Sequence, residues 1–192
     1  MSSLREQLEQ LEKDLSFDKI AISPYHDLPF AIFRYEPNLE FEMRKEIKLL
    51  ATRLNNKSKN IELISLADLY YESISNEGGI ESLSNEEKEF KFERAQESLN
   101  VILSDPDYTP ITKLLEEKLN KISKNNTIVF LYRAGVFAPN AYKISVLLDY
   151  MKGKTDIPCV LFYPGSLKDN ILYFMDLFDQ PPGSYHVNIY NK

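Results

Sequence analysis

Residues 127–165, TIVFLYRAGVFAPNAYKISVLLDYMKGKTDIPCVLFYPG, constrain the fold more than any other stretch of the chain. They open with a six-residue apolar run, 127–132, turn at Arg133, Ala134 and Gly135, pass through a segment of helical period, and close with a second apolar run, 159–163. Unbroken rather than alternating hydrophobicity marks strands covered on both faces, the habit of parallel sheets. The stretch therefore reads as a βαβ unit, and the right-handed crossover rule makes 140–152 the helix that packs back across the sheet. Its geometry sets Arg133 and Gly135 near Tyr163 and Gly165, at the carboxyl ends of strands, where open α/β sheets bind ligands. Both glycines also have a purely conformational explanation, since Gly turns a chain out of a strand at little cost.

The remainder of the chain is consistent with one α/β domain, a mostly parallel sheet flanked by helices, spanning 1–192. Residues 3–15 predict a helix with a capping box at Ser3 and Glu6 and a narrow stripe at Leu4, Leu8, Leu11 and Leu15. A stripe of that width docks either on its own domain or on a partner or second copy, because two heptads are too short to stand alone. Ile20, Ala21 and Ile22 suggest a short strand before Ser23 and Pro24, and 30–35 a longer one between Pro29 and Pro37. Asn38 then reads as the N-cap of a helix to Leu54, with Met43, Ile47, Leu50 and Leu54 on one face. Arg44, Lys45, Lys48 and Arg53 lie largely off that face, as a solvated surface or as an anion contact.

A strand at 60–66 and a short helix at 67–75 lead to Gly78 and Gly79, the clearest internal break. Beyond it, Ser84 and Glu87 form a second capping box, and a helix stops at Asp105 and Pro106. Thr109 and Pro110 start another helix. Residues 84–124 thus read as a helical insertion between strands. The apolar stretch from Asn170 to Gly183 is ambiguous between helix and strand, and 185–190 predicts the last strand.

At 192 residues the chain can bury roughly 70% of its unfolded surface without a disulfide or metal staple. A net charge of −6 removes the basic field on which non-specific nucleic-acid binding depends, so direct nucleic-acid binding is not expected. Cys159, the single cysteine, lies in an apolar strand and reads as core. No apolar run reaches the length of a membrane span and the first fifteen residues lack the core of a signal peptide, so a soluble cytoplasmic protein is expected.

Motifs for catalysis or cofactors are sparse. Gly153, Lys154 and Thr155 leave a helix rather than enter one, and Leu148 stands where a P-loop needs Gly. GxGxxG is absent, and His26, His186 and Cys159 lack metal-ligand spacing, so neither a cofactor nor a metal is expected. Ser166 in YPGSL lacks the flanking glycines of a nucleophile elbow, and His26 beside Asp27 reads either as a loop residue or as a tuned proton carrier. Arg133, a charge ending an apolar strand, can bind a phosphate or carboxylate or pair within the fold.

Five segments, DLPFAIFRYEP (27–37), MRKEIKLLATRL (43–54), ELISLADLYYESI (62–74), FLYRAGVFAP (130–139) and PCVLFYPG (158–165), together resemble the BrxB family of bacteriophage-exclusion (BREX) defence systems. The resemblance runs through nearly the whole chain in order. It implies a small cytoplasmic protein encoded with a DNA methyltransferase, an ATPase and the phosphatase-like PglZ, and required for host methylation or phage exclusion. PglZ and the other BREX components are the implied partners, and the family carries no established catalytic site. Two readings follow. One is a non-catalytic scaffold or adaptor whose first candidate contact is the stripe Leu4, Leu8, Leu11 and Leu15, with a homodimer as a further use of it. The other is an enzyme or nucleotide sensor with a degenerate ligand site at Arg133, Gly135, Tyr163 and Gly165.

Overall fold

The computed structural model describes residues 4–17, 22–23, 28–139, 141–169, 171–178, 185 and 187–191. The elements run α1 (Leu4–Ser16), β1 (Phe30–Tyr35), α2 (Glu40–Asn55), β2 (Asn60–Ser65), α3 (Leu66–Asn76), α4 (Gly79–Ser104), α5 (Ile111–Lys121), β3 (Thr127–Tyr132), α6 (Ile144–Met151), β4 (Cys159–Lys168), β5 (Ile171–Phe174) and β6 (Asn188–Tyr190). The expected Ser3 cap, the strand residues Ile20 and Ala21, Asn140, His26 and His186 lie outside the described residues.

Five strands form a parallel sheet in the order β2-β3-β4-β1-β6, and β5 folds back antiparallel on the end of β4. This is the mostly parallel α/β sheet that the apolar runs predict. β1 lies in the interior, pairing Phe30 with Cys159 on one side and Phe33 with Tyr190 on the other. Alternate residues of each strand feed two cores. Phe30, Ile32, Val129, Leu131, Cys159 and Leu161 face α3, α5 and α6. Ala31, Phe33, Phe130, Val160 and Phe162 face α1 and α2, where three of the rings form a row at centroid separations of 5.8 and 5.3 Å. The split follows from handedness. The chain moves one way along the sheet from β1 to β2 and the other way from β2 through β3 to β4, so right-handed crossovers put the helices on opposite faces.

The leucine stripe is filled from inside the domain. Leu4 is 5% exposed and Leu8, Leu11 and Leu15 are fully buried, sharing a core with Met43, Ile47, Leu50 and Leu54 of α2. Glu12 bonds Arg53 Nε at 2.7 Å and Lys57 Nζ at 2.8 Å, and Tyr190 Oη donates to Asp14 at 2.9 Å, closing the docked helix from both sides. The stripe therefore has no open face for a partner or second copy, because α2 presents a matching apolar stripe to it.

Helix starts differ from expectation. Asn38 lies inside a turn of 3-10 helix, Pro37–Leu39, and Leu39 precedes α2 without a side-chain cap. Pro37 presets the φ of that turn, which hands over directly to α2. The helix expected from 140 begins at Ile144, after a 3-10 turn at Ala134–Phe137. Ser84 and Glu87 fall inside α4, which starts at Gly79, directly after the left-handed Gly78 (φ 96°). The ambiguous apolar stretch supplies β5, whose residues Tyr173 and Leu172 pair with Ser166 and Leu167.

Candidate functional site

Two features stand apart from the packing. The first is a cleft of about 310 Å³ at the carboxyl ends of the strands, lined from α2 by Glu40 and Arg44, from α3 by Ala67 and Tyr71, and from the loop after β3 by Arg133, Gly135 and Val136. Pro37 and Met175 complete it. The cleft lies near the point where the connections change direction along the strand order, since β1 and β3 send their chains to opposite faces.

Each polar group in the cleft is set by a local feature of the chain. Arg133 leaves β3 in the left-handed region (φ 61°, ψ 35°), an uncommon state for a side chain with a Cβ. Its Nη1 donates to Asp68 Oδ1 at 2.9 Å and to Ser65 Oγ at 3.2 Å. Ser65 also caps α3 by accepting from the Asp68 amide at 3.2 Å, so the cap and the arginine share one hydroxyl. Arg133 Nε is buried with no hydrogen-bond partner among the described residues. Opposite, Glu40 accepts from Tyr35 Oη at one oxygen and from Arg44 Nε, at 2.7 Å, at the other. Burial, and then the Glu40 carboxylate, push the Tyr35 phenol well above the ordinary tyrosine range, so it donates at neutral pH. Arg44 lies over the Phe41 ring at 5.2 Å from its centroid.

Of the four residues singled out from sequence, the structure brings Arg133 and Gly135 into the cleft and leaves Tyr163 and Gly165 out of its lining. Tyr163 is fully buried, its ring edge-on to Phe174 and Tyr185. Gly165 serves the β4–β5 hairpin, where a Cβ would lie 2.1 Å from the Tyr173 carbonyl oxygen. Glu40, Tyr71 and Met175 carry no sequence signal for a cleft, and Arg44 reads in sequence only as one of four basic residues. Its companions go elsewhere: Lys45 and Lys48 are exposed, and Arg53 pairs with Glu12. A Glu-to-Arg spacing of four at the start of α2 was the available signal, but it could not show that the pair borders a cleft.

Of the remaining sequence candidates, Lys154 and Cys159 take structural roles. Lys154 pairs with Glu116 at 3.4 Å and lies over Tyr150. Ser166 is in β4, its Oγ buried and without a hydrogen-bond partner among the described residues. Burial holds the Cys159 thiol far above its ordinary pKa, and Sγ contacts the Ile157 carbonyl oxygen at 3.2 Å. Native protein should therefore react with a thiol reagent at least about a hundredfold more slowly than the urea-unfolded chain, read by absorbance of the released thiolate. Equal rates would place the thiol at the surface.

The second feature is α4. Lys91 inside it has φ 74° and ψ 170°, and Ser98 Oγ donates to Glu86 Oε1 at 2.7 Å. Residues twelve apart on a straight helix are about 18 Å apart, so the chain doubles back at Lys91 into two antiparallel arms. Phe90 and Phe92 flank the reversal and are 57% and 60% exposed. Six acidic and three basic residues lie along 79–104.

Among the described residues, no helix is long and apolar enough to cross a membrane. A family model described as BREX protein BrxB matches residues 62–189. That span begins inside β2 and ends inside β6, so it takes in the α4 hairpin, Tyr71, Arg133 and Gly135 and leaves out Glu40 and Arg44. Searches of curated proteins and of solved structures gave no match.

Proposed function

The chain belongs to the BrxB family of BREX phage-defence proteins, and on that premise we propose that it is a non-catalytic adaptor that holds the PglZ-like component by the tip of its helical hairpin, supporting host methylation and phage exclusion from the cytoplasm. The observation that carries the reading is the pair Phe90 and Phe92, two large apolar side chains more than half exposed on either side of a chain reversal. Aromatic anchors of this kind dominate binding energy when they enter a pocket on a partner. The hairpin's excess of acidic residues, with Glu89 and Glu93 next to the phenylalanines, suits a receiving pocket that is apolar with a basic rim.

The test is co-expression with the PglZ-like protein of the same operon, with light scattering on the eluted species. Wild type is expected to co-elute as a complex of defined mass. The double variant F90S/F92S is expected to melt within about 2 °C of wild type, since exposed side chains contribute little to folding, and to bind at least about a hundredfold more weakly. Undiminished co-elution of the variant would move the contact off the tip. Separate wild-type peaks at micromolar concentration would remove PglZ as a direct stable partner.

A further inference from the structure

We propose that the cleft between α2, α3 and the Arg133 loop binds a phosphorylated small molecule of about mononucleotide size. The inference is independent of the adaptor reading and rests on what the two guanidiniums have left to donate. Asp68 and Ser65 both bond Arg133 through Nη1, and no hydrogen bond among the described residues reaches its other amino group or its Nε. The Nε edge is one of the two edges of a guanidinium that chelate an anion, and here it is unpaired among the described residues, with Nε itself covered from solvent. A buried N–H without an acceptor is a cost the fold carries, and an oxyanion at that edge removes it.

Arg44 is held the other way round. Glu40 takes its Nε, Phe41 supports its plane, and its terminal amino groups have no acceptor among the described residues. Glu40 is itself fixed from behind by Tyr35, so its charge is already committed on both oxygens. The first turn of α3 adds the backbone amide of Ala67, which has no acceptor within the helix, with the positive end of the helix dipole behind it. Donors arriving from α2, from α3 and from the end of β3 suit a tetrahedral anion, whose oxygens point in different directions, better than a planar carboxylate. Tyr71, 47% exposed, with Val136 and Met175 gives apolar wall beyond the polar groups. A cleft of about 310 Å³ accommodates a group the size of a nucleoside there.

Melting of the full chain would be followed with inorganic phosphate, adenosine, AMP, GMP and UMP, on wild type, R133Q and R44Q. A nucleoside monophosphate at a hundredfold excess over its dissociation constant should raise the melting temperature by about 5–10 °C, with inorganic phosphate giving less and adenosine nothing. Each variant should weaken the ligand at least about tenfold. Arg44 is on the surface of its helix, so R44Q should fold normally and carries the test even where R133Q unfolds. No shift from any phosphate-bearing probe at about 10 mM, or a full shift in R44Q, would overturn the proposal.

Discussion

Exchange of Leu8 and Leu11 together for Glu should abolish the cooperative melt of this protein at neutral pH. Both side chains are fully buried in the core that α1 shares with α2 and the sheet. Removing a buried leucine costs about 2–5 kcal/mol, and a carboxylate in its place adds a desolvation penalty. Two such changes on one stripe sum to more than about 5 kcal/mol, comparable with the entire stability of a domain of this size. Circular dichroism during thermal and urea unfolding is the measurement. A variant that melts like wild type and differs only in its association with another protein would return the stripe to the surface and contradict the fold described above.

The second large effect is expected at Gly165. A Cβ there meets the Tyr173 carbonyl oxygen at 2.1 Å and Tyr163 Cε1 at 2.9 Å, and the backbone oxygen cannot turn aside without breaking the β4–β5 pairing. The clash and the unfavourable φ of +157° together should cost G165A about 3 kcal/mol or more, a drop of about 6–12 °C in melting temperature. The control is G135A. A Cβ at Gly135 finds only Met175 Sδ at 3.6 Å and Pro164 Cγ at 4.0 Å, ordinary contacts, and this variant should lose less than about 1 kcal/mol. Equal losses in the two variants would show that the hairpin does not depend on the close approach at Gly165.

Parallel strands announce themselves in sequence because both faces are covered. The runs at Phe30–Tyr35 and Thr127–Tyr132 could be read residue for residue, and β4 from its first residue. What could not be read is which strand lies beside which. β1 sits between β4 and β6, and nothing local to 30–35 specifies either neighbour. The cleft depends on that order, because it is the position of β1 that lets Glu40 and Arg44 share a cleft with Arg133. Arg133 was legible as a charge at the end of an apolar strand; the partner it takes, Asp68, lies on the helix after a different strand. The hairpin was equally hidden. EFKFE carries no Gly or Pro, and the reversal rests on one lysine in a backbone state that such a sequence does not advertise. The leucine stripe was visible but not its occupant, since periodicity marks a face that must be covered and not what covers it.

The interior place of β1 also orders events on the ribosome. Its partners are encoded far downstream, so when Phe30–Tyr35 leaves the exit tunnel neither edge has anything to pair with. The segment up to Asn55 waits as an unpaired apolar strand between two amphipathic helices, the kind of template that recruits other nascent chains. β4 closes one edge late, and Asn188–Tyr190, encoded later still, close the other. Non-local parallel pairing of this type is slow. Completion of the sheet therefore waits for β6, and a chain cut before Asn188 carries a strand open to aggregation rather than a slightly shorter domain.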